Sequence, residues 1–149
     1  GRLNSFMDVF DTLRQGIGEF AFVSLFANIL IFQKVIMSTS QTEAVLAHNL
    51  SAIGSGDPVD ILTDYSEESV LHTPDGRKRG LSEIQAFFEA FSANAPGGFM
   101  DNFEMVCQLC EDDLAYIVWR SEASAPLGTD TVFIKDNKIA VQAYAAHFA

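Results

Sequence analysis

Few side chains in this 149-residue chain have the chemistry to move protons, attack a carbonyl or hold a metal, and they are scattered. The three histidines are His48, His72 and His147. His72 is the tempting base, because imidazole titrates near neutral pH. It stands in a short extended run, Ser69 to Thr73, just ahead of Pro74. Strand alternation sends His72 and Thr73 to opposite faces, and only a bulge before Pro74 would exchange them. His48 falls within a helical repeat and reads as a surface or boundary residue. His147 shares a strand face with Ala143 and Ala145. Cys107 and Cys110 form a lone Cys-x-x-Cys; a zinc site needs a second pair, and positions three apart on a strand face opposite ways. They read as two reduced thiols, which suits a cytoplasmic protein. Arg77-Lys78-Arg79 reads as a solvated turn, with a site for an anionic ligand as the rival reading. No Ser-His-Asp pattern, phosphate loop or spaced ligand cluster is visible, so neither a metal nor another cofactor is expected.

The elements that must position these groups follow from pattern. The length suits one domain of ordinary size, and 48% apolar residues with 13 Phe supply its core. The formal charge of −11 argues against nucleic acid, whose phosphates need a basic face. All of that charge lies after Met37, where 6 basic side chains face 17 acidic ones. The chain therefore divides into a neutral, apolar arm, 1–37, and an acidic domain, 38–149.

In the arm, Ser5 and Asp8 make a cap signal, and Phe6, Phe10, Leu13 and Ile17 recur at helical spacing. Gly16 and Gly18 break that helix. A second helix is expected from about Glu19 to Ile36. Its run from Phe20 to Phe32 is almost wholly apolar, yet as helix it spans only roughly 20 Å against a hydrocarbon core of about 30 Å. Continuing to Met37 adds Gln33 and Lys34 to Asn28. Membrane contact is therefore not expected. The main reading is a helix buried in the fold or an oligomer interface; lipid contact and an extension upstream of a natural start at Met37 are the alternatives.

In the domain, Ser40 and Glu43 form a capping box ahead of Leu46, Leu50 and Ile53. Gly54 and Gly56 stop that helix, and Asp57-Pro58 starts a short one carrying Ile61, Leu62 and Tyr65. Pro74-Asp75-Gly76 is turn chemistry. Ser82 and Gln85 again suggest a capping box, followed by Ile84, Phe87, Phe88 and Phe91. After the loop Asn94-Ala-Pro-Gly-Gly the pattern becomes extended. Four strands follow, with turns expected at Glu111-Asp112-Asp113, Pro126-Leu127-Gly128 and Asp136-Asn137. Helices first and an antiparallel meander last define an α+β fold.

This order resembles the nuclear transport factor 2-like superfamily, in particular its SnoaL-like and ketosteroid-isomerase-like members. The resemblance runs from about Gln41 to Phe148. It rests on Ser55-Gly56-Asp57, Tyr65, Thr73-Pro74, Arg79-Gly80, Ile84, Phe87 and Lys138-Ile139. It implies a cone-shaped, curved antiparallel sheet wrapped around N-terminal helices, also called cystatin-like, with an apolar pocket inside. Residues 1–36 have no counterpart in it.

Superfamily members include isomerases, dehydratases, cyclases and non-catalytic binders, so the pocket residues must decide. Ketosteroid isomerase needs a carboxylate base plus a Tyr and a neutral Asp that hydrogen-bond an oxyanion. The resemblance puts Thr73 at the base, Asn49 at the oxyanion Tyr and Phe88 at a supporting Tyr. It keeps an Asp at Asp130 and a pocket Tyr at Tyr65. The standard isomerisation is therefore not expected.

What the resemblance leaves is a small apolar molecule in the pocket, handled by acid–base chemistry from Asp130, Tyr65, Tyr144 and, if a bulge turns it inward, His72. The lining would be Asn49, Thr73, Phe88, Phe91, Val118, Val132, Gln142 and Phe148. Asp130 would begin a strand whose alternate residues Val132 and Ile134 are apolar, and would hold a neutral carboxyl near Tyr65 or Tyr144. The rival is an ionised Asp130 capping a turn after Gly128. A non-catalytic binding or assembly module of the same fold is the other function class. The resemblance also implies a homodimer or larger oligomer, with Trp119 or its neighbours on the outer sheet face.

Overall fold

The computed structural model describes residues 5–122 and 124–149. The chain falls into two units, Gly1–Met37 and Ser38–Ala149. The first unit holds helix α1, Phe6–Ile17, and the opening of helix α2, Glu19–Ser55. Ser5 caps α1 as its spacing predicts, accepting from the Asp8 backbone N–H at 3.2 Å. Gly18 ends α1 at φ 81, a left-handed value that costs glycine little. Arg14 pairs with Glu19 across this break. Phe10 meets the rings of Phe22 and Phe26 edge-on at 4.6 and 5.6 Å. Apart from Phe22, the described side chains of the arm from Ser5 to Met37 are exposed or half-exposed. By length and composition α2 would also suffice to cross a membrane.

The expected start at Ser40 does not occur, because α2 runs on without interruption to Ser55. Nothing between Ile36 and Thr42 is a helix breaker, and a capping sequence caps only where the chain has a reason to turn. Thr39 and Thr42 serve the second unit instead. Thr42 donates to the Asp112 carbonyl at 2.6 Å, and the Asp112 N–H donates to Thr39 at 3.1 Å. They pin a turn whose Asp112 stands at φ 50.

The second unit is α+β. After α2 come helix α3, Pro58–Leu62, strands β1, Val70–Thr73, and β2, Gly76–Arg79, and helix α4, Gly80–Asn94. Strands β3, Phe103–Glu111, β4, Leu114–Ser121, β5, Ala125–Lys135, and β6, Lys138–His147, form the meander. The six strands make one sheet in the order β2-β1-β6-β5-β4-β3. It is antiparallel except where β1 runs parallel to β6, a mixed pairing that the expected antiparallel cone lacked. Register shifts between Met105 and Cys107, Trp119 and Ser121, and Phe133 and Ile134 mark bulges, which bend strands.

Three local readings are corrected. Arg77-Lys78-Arg79 is not a turn but strand β2, paired with β1 through the two-residue loop Pro74-Asp75. Pro126-Leu127-Gly128 is not a turn either: it lies inside β5, and the chain reverses earlier, where the Ser124 N–H reaches the Ser121 carbonyl. Helix α4 starts at Gly80, not at a Ser82 box; the Glu83 carboxylate takes the Arg79 N–H at 2.6 Å.

The core forms where the inner sheet face meets α2, α3 and α4. Leu46, Ile61, Leu71, Ile84, Ile117 and Ile139 are almost fully buried there. Burying six such side chains contributes on the order of 10 kcal/mol before entropy is set against it.

Candidate functional site

Alternation on β4 sends Ala115, Ile117, Trp119 and Ser121 inward and Tyr116, Val118 and Arg120 outward. Arg120 is therefore on the outer face, bonded to Glu104. Trp119 goes inside, so it is no part of an outer apolar patch. On β5, Asp130, Val132 and Ile134 face the core, and on β6, Gln142 and Tyr144 do.

Between α4, the sheet and the loop after α4 lies a cavity of about 80 Å³. Its walls are aromatic and aliphatic, with Phe87, Phe88, Phe91, Phe99, Phe103 and Ile117 among them. Its polar lining consists of Asp130, Gln142, Tyr144 and the Trp119 indole. Tyr144 also borders a second, wider groove with Thr73, Asp75, Arg77, Lys78 and Glu83.

Asp130 is the carboxyl on this lining. One oxygen accepts from Trp119 Nε1 at 2.8 Å and the other from Gln142 Nε2 at 2.7 Å. The Gln142 carbonyl in turn accepts from the Tyr65 hydroxyl at 2.5 Å. Tyr65 accepts from Asn49 Nδ2 at 3.4 Å, a long contact. Three neutral donors, Asn49, Tyr65 and Gln142, thus follow one another to one oxygen of the Asp130 carboxylate, and a fourth, Trp119, meets the other oxygen.

Burial pushes the Asp130 pKa up, while the two N–H donors from Trp119 and Gln142 pull it back; the net direction is upward. Burial raises Tyr65 far above the usual phenol range, and Tyr144 also rises, through burial and then the charges of Asp75 and Asp130. Both tyrosines therefore keep their protons at neutral pH.

Six of the expected site residues line the cavity: Asp130, Tyr144, Gln142, Phe88, Phe91 and Phe148. The others do not. Tyr65 and Asn49 are buried behind Gln142 and support it from the rear. Val132 is core, and Val118 points outward, opposite Thr129 and Cys107. Thr73 borders the groove, where its hydroxyl bonds the Gly76 carbonyl. His72 is exposed, because no bulge interrupts β1 and its alternation holds. Nor does Asp130 begin a strand or cap a turn, since β5 starts five residues earlier at Ala125.

Two features were not anticipated. The first is the Trp119 indole on Asp130; inward alternation could have suggested the ring, but its partner depends on the register of β4 against β5. The second is a cluster on the rim of the core. His48 Nδ1 lies 2.8 Å from buried Asp64, and its Nε2 lies 3.2 Å from Asp60. The hydrogen bond and charge of Asp64, with a smaller share from Asp60, raise the His48 pKa. Nothing in the sequence spacing links a helix residue to acids 12 and 16 positions later. Among the described residues, no group of three or more His, Cys, Asp or Glu is arranged to hold a metal.

No protein-family model and no curated protein matches the chain. Solved structures do. A nuclear transport factor 2-like protein of unknown function from Burkholderia xenovorans superposes with a TM-score of 0.60 at 17% identity, over 74% of this chain and 85% of that one. A SnoaL-like protein of unknown function from Burkholderia thailandensis gives 0.58 at 20%, over 74% and 95%. A nuclear transport factor 2-like protein of unknown function from Mesorhizobium loti gives 0.60 at 19%, over 73% and 93%. The chain has the nuclear transport factor 2-like, SnoaL-like fold.

Proposed function

We propose that the protein binds a small, mainly apolar molecule in the cavity and that Asp130 takes a proton from it, without a cofactor. The observation that carries this reading is a carboxyl whose two oxygens both accept from N–H groups on a mainly apolar lining. A carboxylate whose pKa is raised by burial is a stronger base than one in water. Tyr144, still protonated, stands on the same lining and would donate to the carbonyl or enolate oxygen formed when a neighbouring carbon loses its proton. This departs from the neutral Asp130 expected from the ketosteroid-isomerase comparison, because both partners of the carboxyl are donors. Isomerisations, aldol-type cyclisations and dehydrations of carbonyl compounds can begin with such a step.

The test is deuterium exchange at the carbon next to the carbonyl of small cyclic ketones in heavy water, followed by NMR. Saturable exchange above the buffer rate, lost in Asp130→Asn, supports an enzyme. Saturable binding with no exchange assigns the cavity to a non-catalytic binding module.

A second observation favours assembly. Leu109, Leu114, Tyr116, Phe133 and Val141 form an exposed apolar ladder on the outer sheet face. We propose that this face pairs with a second copy, and that the exposed apolar side chains of the arm pack on protein in the same assembly. A monodisperse monomer in light scattering at micromolar concentration would remove the dimer. Co-flotation of the full chain with phosphatidylcholine vesicles would reassign the arm to lipid. The two unpaired thiols, Cys107 and Cys110, are the reason for proposing a cytoplasmic location.

A further inference from the structure

Gly128 sits in the middle of β5, directly opposite Trp119 in the β4–β5 register. Its φ is not in the left-handed region, so the backbone there does not call for glycine. Glycine also weakens a strand interior. The reason for it is space. A Cβ on Gly128 would stand 2.3 Å from two atoms of the Trp119 ring and 2.5 Å from a third. The indole therefore lies flat on the β5 backbone where a side chain would otherwise be. It has little room to retreat, because the rings of Phe99 and Phe103 pack on it at 5.7 and 5.6 Å. Lying across β5, the ring carries Nε1 past its own cross-strand partner to Asp130, two residues further on, at 2.8 Å.

We infer that Gly128 is a positioning residue of the cavity: its missing side chain seats the Trp119 indole, whose N–H holds Asp130 as an acceptor and so selects ligands that bring a hydrogen-bond donor or an acidic C–H. The inference deepens the proposed function and rests on its assignment of Asp130. Indole N–H groups donate and never accept, so a Trp119 seated this way fixes the sense of that bond whatever the neighbouring amides do. Gln142, oriented by Tyr65, supplies the second donor. The other titratable groups tied to Asp130 are Tyr65 and Tyr144, which feel its charge. With both carboxylate oxygens already receiving N–H bonds, a carbonyl brought to Asp130 meets only lone pairs. A phenol, an enol or an acidic C–H meets the acceptor it needs.

Trp119 is the one tryptophan of the chain, so its indole N–H proton is a single, assignable NMR signal. In the full-length protein that signal should move with the titration of the Asp130 carboxyl. In Gly128→Ala the methyl displaces the ring; the coupling should vanish, and Asp130 should titrate at higher pH than in the parent, because a donor that favours the charged form is gone. Trp119→Phe should give an upward displacement of the same size. Retention of the coupling and of the parent midpoint in Gly128→Ala would overturn the inference. Should Gly128→Ala not fold, the double variant Gly128→Ala with Trp119→Phe decides: folding restored by the smaller ring supports the clash, and a double variant that stays unfolded while Trp119→Phe alone folds overturns it. These readouts need no ligand. A parent that shows the coupling but binds neither phenol nor ketone removes the proposed function and leaves the role of Gly128 intact.

Discussion

Two carboxylates, Asp64 and Asp130, are connected to Tyr65 in different ways, and their surroundings differ. Asp64 adjoins Tyr65 in sequence and has an imidazole on it: His48 lies within hydrogen-bond distance of both of its oxygens, at 2.8 and 2.9 Å, on the open side of the fold. Asp130 is linked to Tyr65 through Gln142 and meets only neutral donors. A carboxylate with a cationic partner has its charge answered by the protein and serves as a brace. A carboxylate held by neutral N–H groups keeps a charge that a bound molecule can still answer. The first arrangement favours stability; the second costs some, and under the proposed function it is the one that meets the bound molecule.

The contrast can be broken most forcefully at the brace. Asp64→Ala removes the partner of His48 and leaves the rim of the core without its brace, which should read as a lower urea midpoint. Asp130→Asn should act in the opposite direction. It removes a buried charge while Gln142 can turn its amide to meet the new one, so stability at neutral pH should rise by about 1 kcal/mol while deuterium exchange is lost. A loss of stability in Asp130→Asn would put Asp130 in the same structural class as Asp64.

The pH dependence sharpens the comparison with a smaller effect. The folded pKa of His48 is raised above 6.5, by its hydrogen bond to Asp64 and then by that charge. Such a group adds stability that is fully present below its unfolded pKa and fades as pH rises through the folded value. His48→Gln should therefore flatten the fall of melting temperature as pH rises above 6.5 and leave ligand binding unchanged. Asp130, also raised, has the same sign over a more acidic window: its burial is uncosted when protonated, and stability declines as pH climbs from the unfolded value through the folded one. Smallest of all, Tyr144→Phe should change stability by less than about 0.5 kcal/mol, because the half-buried ring that packs on the core is kept, while weakening ketone binding.

What the sequence disclosed follows the same division. Periodic and punctuated stretches were legible: Ser5 as a cap, Asp57 on the first turn of α3, and Asp136-Asn137, which takes left-handed φ of 51 and 59 as a two-residue hairpin demands. Signals that depend on a distant partner were not. Gly128 carries the mark of a turn residue, yet its reason is a ring on the neighbouring strand. Val118 was expected inside because one strand face had to be chosen without knowing the register, and Trp119 took that place. Arg77-Lys78-Arg79 lacks any apolar alternation, so its pairing with β1 is set by the Pro74-Asp75 loop and not by its own side chains. His48 and Asp64 meet because α2 packs beside the turn after α3, which is a fact of tertiary packing alone.

The proposed function requires Asp130 to be an acceptor at neutral pH, held so by the Trp119 and Gln142 N–H groups, while burial raises its pKa. Carbon-13 NMR of the Asp130 side-chain carboxyl across an acid-to-neutral titration tests it most directly. The expected midpoint lies above the ordinary 3.8, and the two N–H donors on its oxygens favour the carboxylate at neutral pH. A midpoint at or below the ordinary value would make Asp130 a structural carboxylate, and a carboxyl still protonated at neutral pH would make it a donor; either result removes Asp130 as the proposed base.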